Sequence, residues 1–257
     1  MKLNLIKPGK VIAAVSLVTL TAFGSMSANA GDKIRIATEG AYAPFNMTNE
    51  QGEAVGFDVD IANALCAEMK ADCEIVTQDW DGIIPGLIGR KYDAIVASMS
   101  ITEERLRVVD FTAPYYSNVL AYVGPEGKEL VPTKEGLKGL TVGAQRATVA
   151  GQYLEDNLGD VVNVKLYDTQ DNAYLDLAAG RLDALLSDKF PAYDWLQSDD
   201  GKGFEFKGED IDIDDKIAIA VRKGDPLKEK FSAAITAIVE NGTYAEINAK
   251  YFPFSIY

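Results

Sequence analysis

Ten side chains in this sequence have the types and placement to grip a small charged molecule, and each follows closely on a short apolar stretch. Glu39 and Tyr42 follow residues 33–38, and Trp80 follows 73–77. Ser98, Met99, Ser100 and Arg105 follow 93–97, Gln145 and Thr148 follow 141–144, and Asp188 follows 184–187. In open parallel sheets, ligands bind beyond the carboxyl ends of the strands, so these positions converge if the stretches are strands. Arg105 can hold a carboxylate with two parallel hydrogen bonds, which a lysine cannot do. Backbone N–H groups near Thr148, at the start of a helix, can share that carboxylate. Ser98 and Ser100 offer oxygens to an α-ammonium, and Asp188 offers it a counter-charge. Tyr42 and Trp80 can sandwich an aliphatic stem and face a cation. Glu39 can pair with a distal positive group. Together they describe a receptor for a zwitterion with a basic tail. Each residue also has a plainer role open to it. Arg105 fits a solvated charged face, Tyr42 and Trp80 fit a core, and Glu39 and Asp188 fit helix caps.

Several chemistries are excluded or disfavoured. The chain has no histidine, so a Ser–His nucleophile is impossible and a metal site is disfavoured. A dehydratase-type enzyme could use Glu39 or Asp188 as acid or base, but no nucleophile motif or phosphate loop accompanies them. No catalytic residue, metal or cofactor is expected. The acidic run at 210–215 lacks the central glycine and downstream glutamate of a calcium loop, and its alternating isoleucines read as a strand. The net charge of −14 argues against nucleic-acid partners.

The elements that must carry these residues alternate. Strands are expected at 33–38, 73–77, 93–98, 120–123, 141–144, 162–166, 184–187 and 217–221. Helices are expected at 59–69, 82–89, 103–107, 149–158, 172–179, 192–197, 227–240 and 244–250. This alternation predicts an α/β architecture with mostly parallel sheets. A local echo predicts two similar lobes. Leu87-x-Gly89-Arg90-x-Tyr92-Asp93-Ala94-Ile95 resembles Leu177-x-x-Gly180-Arg181-Leu182-Asp183-Ala184-Leu185, each a helix ending at glycine and leading into an apolar strand. The chain is expected to cross between lobes at 118–123 and return at 216–221, a two-segment hinge. Lobe 1 would comprise 31–119 with 220–257, and lobe 2 would comprise 120–219.

Residues 1–30 read as a cleaved leader. Lys2, Lys7 and Lys10 precede an apolar run at 11–23, and Ala28-Asn29-Ala30 offers a cleavage site. An uncleaved anchor is the alternative, although the run is too short to span a bilayer. The leader holds three lysines and no acid, so its removal takes the net charge from −14 to −17. In an exported chain, the pair Cys66 and Cys73 suggests a disulfide, with two free thiols as the alternative.

Beyond these readings, the sequence resembles the polar amino acid solute-binding proteins of bacterial ABC importers. The resemblance rests on Ala41-Tyr42-Ala43-Pro44-Phe45, Gly56-Phe57-Asp58-Val59-Asp60, Trp80-Asp81-Gly82-Ile83-Ile84-Pro85, Asp93-Ala94-Ile95 and Ser98-Met99-Ser100-Ile101-Thr102. It continues through Gly180-Arg181-Leu182-Asp183-Ala184 and the ending Gly242-Thr243-Tyr244 with Lys250-Tyr251-Phe252. It is closest to the lysine/arginine/ornithine- and histidine-binding members, whose disulfide matches Cys66–Cys73. The resemblance implies a type II periplasmic binding protein fold, a monomer in the periplasm that closes on an amino acid and docks an inner-membrane ABC permease. It places the α-carboxylate at Arg105 and Thr148 and the α-ammonium at Ser98, Ser100 and Asp188. It places the aromatic contacts at Tyr42 and Trp80, and the basic tip at Glu39. Two departures stand out. Arg146-Ala147-Thr148 replaces the Gly-Ser-Thr or Gly-Thr-Thr of relatives, so that Arg146 either alters the pocket rim or opposes a cation. Residues 211–219 also lack a glycine-rich stretch. The ligand is thereby left open among arginine, lysine, ornithine, histidine and an opine.

Overall fold

The computed structural model of the protein describes residues 1–2 and 33–257. The expected leader lies outside the described residues, apart from Met1 and Lys2. The first strand, β1 (Ile34–Thr38), leads into a small antiparallel meander of β2 (Ala41–Tyr42), β3 (Asn46–Thr48) and β4 (Ala54–Val55). Then follow α1 (Phe57–Glu68), β5 (Cys73–Thr77), α2 (Trp80–Ile88), β6 (Ala94–Ile95), α3 (Glu103–Leu106) and β7 (Val109–Pro125). The chain continues through α4 (Lys134–Leu137), β8 (Thr141–Gln145), α5 (Val149–Leu158), β9 (Asn163–Tyr167), α6 (Gln170–Ala178), β10 (Ala184–Asp188) and α7 (Lys189–Gln197). It ends with β11 (Phe204–Arg222), α8 (Leu227–Glu240) and α9 (Thr243–Tyr251).

The strand order β5-β1-β6-β11-β7-β10-β8-β9 resolves into two parallel triplets. β1 pairs in parallel with β5 and β6, and β8 pairs in parallel with β9 and β10. The long antiparallel pair β7–β11 joins the triplets. The apolar core divides the same way. Two clusters draw their buried members from residues up to Tyr116 and from Ile217 onward. The other two draw theirs from Leu120 to Ala192. The chain therefore passes between packing centres at 116–120 in β7 and at 211–217 in β11. The second passage begins earlier than the 216–221 read from the sequence. The ladder is irregular there, with register shifts on both sides of Ile211. This is a two-lobed α/β fold of the type II periplasmic binding class.

Local chemistry explains the element boundaries. Thr102, Thr133, Thr148 and Thr169 each cap a helix by accepting the N–H three residues on, at 3.1–3.2 Å, a contact worth about 1 kcal/mol. The echoed helix–strand units are structurally equivalent at their aspartates. Asp93 accepts the Arg35 N–H and Asp183 the Thr141 N–H, both at 3.0 Å. One detail differs from expectation. Gly180 does adopt the left-handed conformation, with φ 69°, but in the first unit that conformation falls on Arg90, with φ 60°, and Gly89 has φ −74°. The Cys66–Cys73 disulfide is formed and ties α1 to the start of β5. The 210–215 run lies within β11, in strand.

Candidate functional site

Nine of the ten residues chosen from the sequence line one cavity between the lobes: Glu39, Tyr42, Trp80, Ser98, Ser100, Arg105, Gln145, Thr148 and Asp188, joined by Ala97 and Val149. The space within it, counting what is open to solvent, is about 280 Å³. Met99 is the exception. The backbone turns at Ser98, whose φ is 50°, and Ser98 and Ser100 line the cavity while Met99 is buried in the core cluster that holds Trp80, Ile83 and Ala218. Its carbonyl is also taken, by the Ala218 N–H at 3.0 Å.

Arg105 is held by two carbonyls. One Nη donates to Ser100 O at 2.8 Å and the other to Ala147 O at 2.9 Å. Its guanidinium carbon lies 5.3 Å from the centre of the Trp80 ring, within cation–π range. Burial pulls its pKa below the ordinary value, while Asp215 and then Asp188 oppose that pull. Thr148 caps α5 through its Oγ1 and donates to Gln145 O at 2.8 Å, which fixes the loop before the helix.

The acids are buried. Glu39 is 8 % exposed and Asp188 7 %. Gln145 Nε2 donates to Glu39 Oε1 at 2.7 Å. Burial pushes Glu39 up to about 7; the Gln145 bond opposes the shift, and Asp171, Asp79 and Asp81 add to it. Asp188 is pushed up by burial and then by the nearby Asp215 carboxylate. Its Oδ2 accepts from the Tyr42 hydroxyl at 2.7 Å, while its buried Oδ1 has no hydrogen-bond partner among the described residues. A buried carboxylate oxygen of this kind is costly unless a donor reaches it.

Arg105 and Glu39 occupy different ends. Arg105 and Thr148 also border an outer groove that Glu39 does not line. Glu39 borders a separate opening with Asp79, Asp81 and Asp168, which Arg105 does not line. Trp80 walls both the cavity and that opening.

Two supporting acids were missed in the sequence. Asp58, fully buried, accepts from Asn46 Nδ2 (2.9 Å), Ser98 Oγ (2.9 Å) and the Tyr115 hydroxyl (2.6 Å), so it orients Ser98. Asp215 accepts from Ser100 Oγ (3.2 Å) and Asn118 Nδ2 (3.0 Å), joining the site to the place where the two long strands cross. Asp58 lay in plain view inside Gly56-Phe57-Asp58-Val59-Asp60. Asp215 had no local signal, since a register shift in β11 turns it inward from an acidic run. Arg146 does not line the cavity. Its guanidinium bonds Asp81 and Asp168 on the outer surface.

The chain resembles known proteins in sequence and in fold. The chain is 44% identical over 252 residues to the L-arginine-binding protein of Pseudomonas aeruginosa, covering 95% of each chain. It is 35% identical to the lysine/arginine/ornithine-binding periplasmic protein of Escherichia coli, covering 96% of this chain and 98% of that one. Among solved structures, an ancestral arginine-binding protein bound to arginine superposes with a TM-score of 0.81 at 35% identity, covering 86% of this chain and 98% of that one. The sequence profile of one family matches residues 34–254. On that match, with the relatives' identity and the common fold, the chain belongs to the bacterial extracellular solute-binding proteins, family 3.

Proposed function

We propose that the chain is the periplasmic solute-binding component of an amino acid ABC importer, and that it takes a basic L-amino acid: arginine, lysine, ornithine or histidine. One observation carries this reading. The cavity presents one cation and two anions, Arg105 with Asp188 and Glu39, the complement of a ligand with one carboxylate and two cationic groups. Arg105 and the opening of α5 take the α-carboxylate. Asp188 Oδ1, with the carbonyls near Ser98 and Ser100, takes the α-ammonium. Tyr42 and Trp80 flank the aliphatic stem. Glu39 and Gln145 meet the basic tip.

The moving parts are the two packing centres, residues up to about 116 with those from about 217 onward against the stretch between them, swinging about the β7 and β11 crossings. Cross-lobe bonds such as Tyr42–Asp188 and Gln145–Glu39 are made as the cleft shuts. The ligand leaves chemically unchanged, handed to an inner-membrane permease by a monomer that a cleaved leader has exported. The arginine- and lysine-binding relatives support this reading. A thermal-shift screen of residues 31–257 against the standard amino acids, ornithine, citrulline and several opines tests it. A ligand at about 100 times its Kd adds about 2.7 kcal/mol. Shifts confined to basic amino acids support the reading. Preference for a neutral, acidic or opine ligand overturns the ligand class, and appearance of a new product overturns the carrier role.

A further inference from the structure

Gln145, Arg146 and Ala147 are consecutive residues of the second lobe, and each reaches the first. Gln145 Nε2 donates to Glu39 at 2.7 Å. Ala147, in a left-handed conformation with φ 56°, turns its carbonyl toward two first-lobe donors, Trp80 Nε1 at 3.2 Å and Arg105 Nη at 2.9 Å. Arg146 sends its side chain outward, where Nε and Nη meet Asp81 Oδ2 at 3.1 and 2.7 Å. The same guanidinium bonds Asp168, which follows β9 in its own lobe.

The partners of Arg146 have different standing. Asp168 belongs to the same lobe, as does the Tyr167 carbonyl that accepts the Arg146 N–H at 2.8 Å. Both contacts survive a rigid-body opening, the first holding the guanidinium and the second the backbone that carries it. Asp81, second residue of α2 in the other lobe, is reached only when the cleft is shut. A contact present in one state alone is what shifts an equilibrium between states. The side chain of Arg146 lines no part of the cavity, and two carboxylates already consume its charge, so it neither grips nor repels a ligand.

We propose that Arg146 is the residue that latches the shut cleft: Asp168 pre-positions its guanidinium, and Asp81 receives it on closure, lengthening the stay of a ligand it never touches. The proposal rests on the solute-binding reading for its ligand but makes a separate claim about closure. Side-chain exposures of 42 % for Arg146 and 49 % for Asp81 leave the pair open to solvent ions. The latch therefore acts best at low ionic strength, because the screening length falls from about 10 Å at 0.1 M salt to about 3 Å at 1 M and an exposed ion pair weakens with it.

The test is a double-mutant cycle on residues 31–257 with L-arginine as probe, following association and dissociation by stopped-flow Trp fluorescence, with X-ray scattering of the ligand-free proteins. Arg146→Ala and Asp81→Asn should each raise the dissociation rate about two- to fivefold at low salt with the association rate little changed. The double variant should be no worse than either single one, and the differences should shrink in 0.5 M NaCl. Asp168→Asn should have a smaller effect. An unchanged dissociation rate in Arg146→Ala, or additive losses in the double variant, overturns the latch. If the wild type binds no basic amino acid, the ligand reading has failed and scattering decides the latch. A larger radius of gyration for Arg146→Ala than for wild type at low salt supports it, and equal radii overturn it.

Discussion

The Tyr42 hydroxyl donates to Asp188 Oδ2 at 2.7 Å, joining residues 146 positions apart and leaving Oδ1 buried without a partner among the described residues. Asp188 is thus half-satisfied by the protein, and the remaining oxygen suits an ammonium. Asp188→Asn keeps the shape and loses the charge. We expect it to weaken L-arginine at least 100-fold, since breaking a buried charge pair costs about 3–5 kcal/mol. The ligand-free protein should melt higher at pH 8 than the wild type, because folding no longer buries an anion. Calorimetric titration and paired melts check both halves; retained affinity removes Asp188 from the site.

Glu39 supplies a pH dependence. Folding holds it at about 7 against an ordinary 4.5, mainly through burial. Below pH 4.5 it is protonated whether the chain is folded or not. Between 4.5 and 7 the unfolded chain ionises first, so the ligand-free protein loses stability as pH rises, by about 3 kcal/mol when complete. A basic ligand runs the other way, because it needs the carboxylate ionised. Affinity for arginine should climb toward pH 7, by up to tenfold per pH unit for each of the two carboxylates that must ionise, Glu39 and Asp188, and then level. At pH 6, titration in buffers of different ionisation enthalpy should register proton release on binding. Glu39→Gln should reduce that release and shallow the slope, with Asp188 supplying what remains. Affinity independent of pH from 5 to 7.5 would contradict both assignments.

Arg105 bridges Ser100 O and Ala147 O while facing the cavity. Arg105→Lys keeps the charge but not the fork, so it should still lose about tenfold or more in affinity for every amino acid tested. Arg105→Ala should abolish binding. Equal affinities for wild type and Arg105→Lys would show that the carboxylate is gripped elsewhere.

The Cys66–Cys73 bridge spans only seven positions. Closing so short a loop stabilises by about 2–3 kcal/mol in the chain-entropy account. Cys66→Ser with Cys73→Ser should lower Tm by about 5–10 °C and leave the affinity for L-arginine unchanged, since neither residue lines the cavity. A loss of affinity larger than the loss of stability explains would tie the bridge to the cleft.

Much of this site was legible because strand ends converge. Once the apolar stretches were taken as parallel strands, the residues after them had to meet. Met99 lies outside the cavity because the backbone turns at Ser98, a left-handed residue that no local sequence signal announces. Asp215 was invisible for a geometric reason: its inward turn depends on a shifted register against β7, which only pairing reveals. The long strands extend beyond the 120–123 and 217–221 expected, in β7 because Pro114 interrupts the pattern and in β11 because the acidic 210–215 strand was not joined to the apolar one that follows it. The meander of β2, β3 and β4 was missed because strands of two or three residues carry no period at all.

The division of the core ties the two ends of the chain together. Ile36 packs in the same cluster as Phe231, Ile247 and Phe252, and β6 lies between β1 and β11. The buried members of the other two clusters run from Leu120 to Ala192, with Phe204, Phe206 and Ile211 of β11 packed against them. A chain emerging amino end first therefore completes its middle before its beginning. The first-made segment waits, unsealed, for the last-made helix, and trimming the carboxyl terminus would undo the oldest part of the protein rather than the newest.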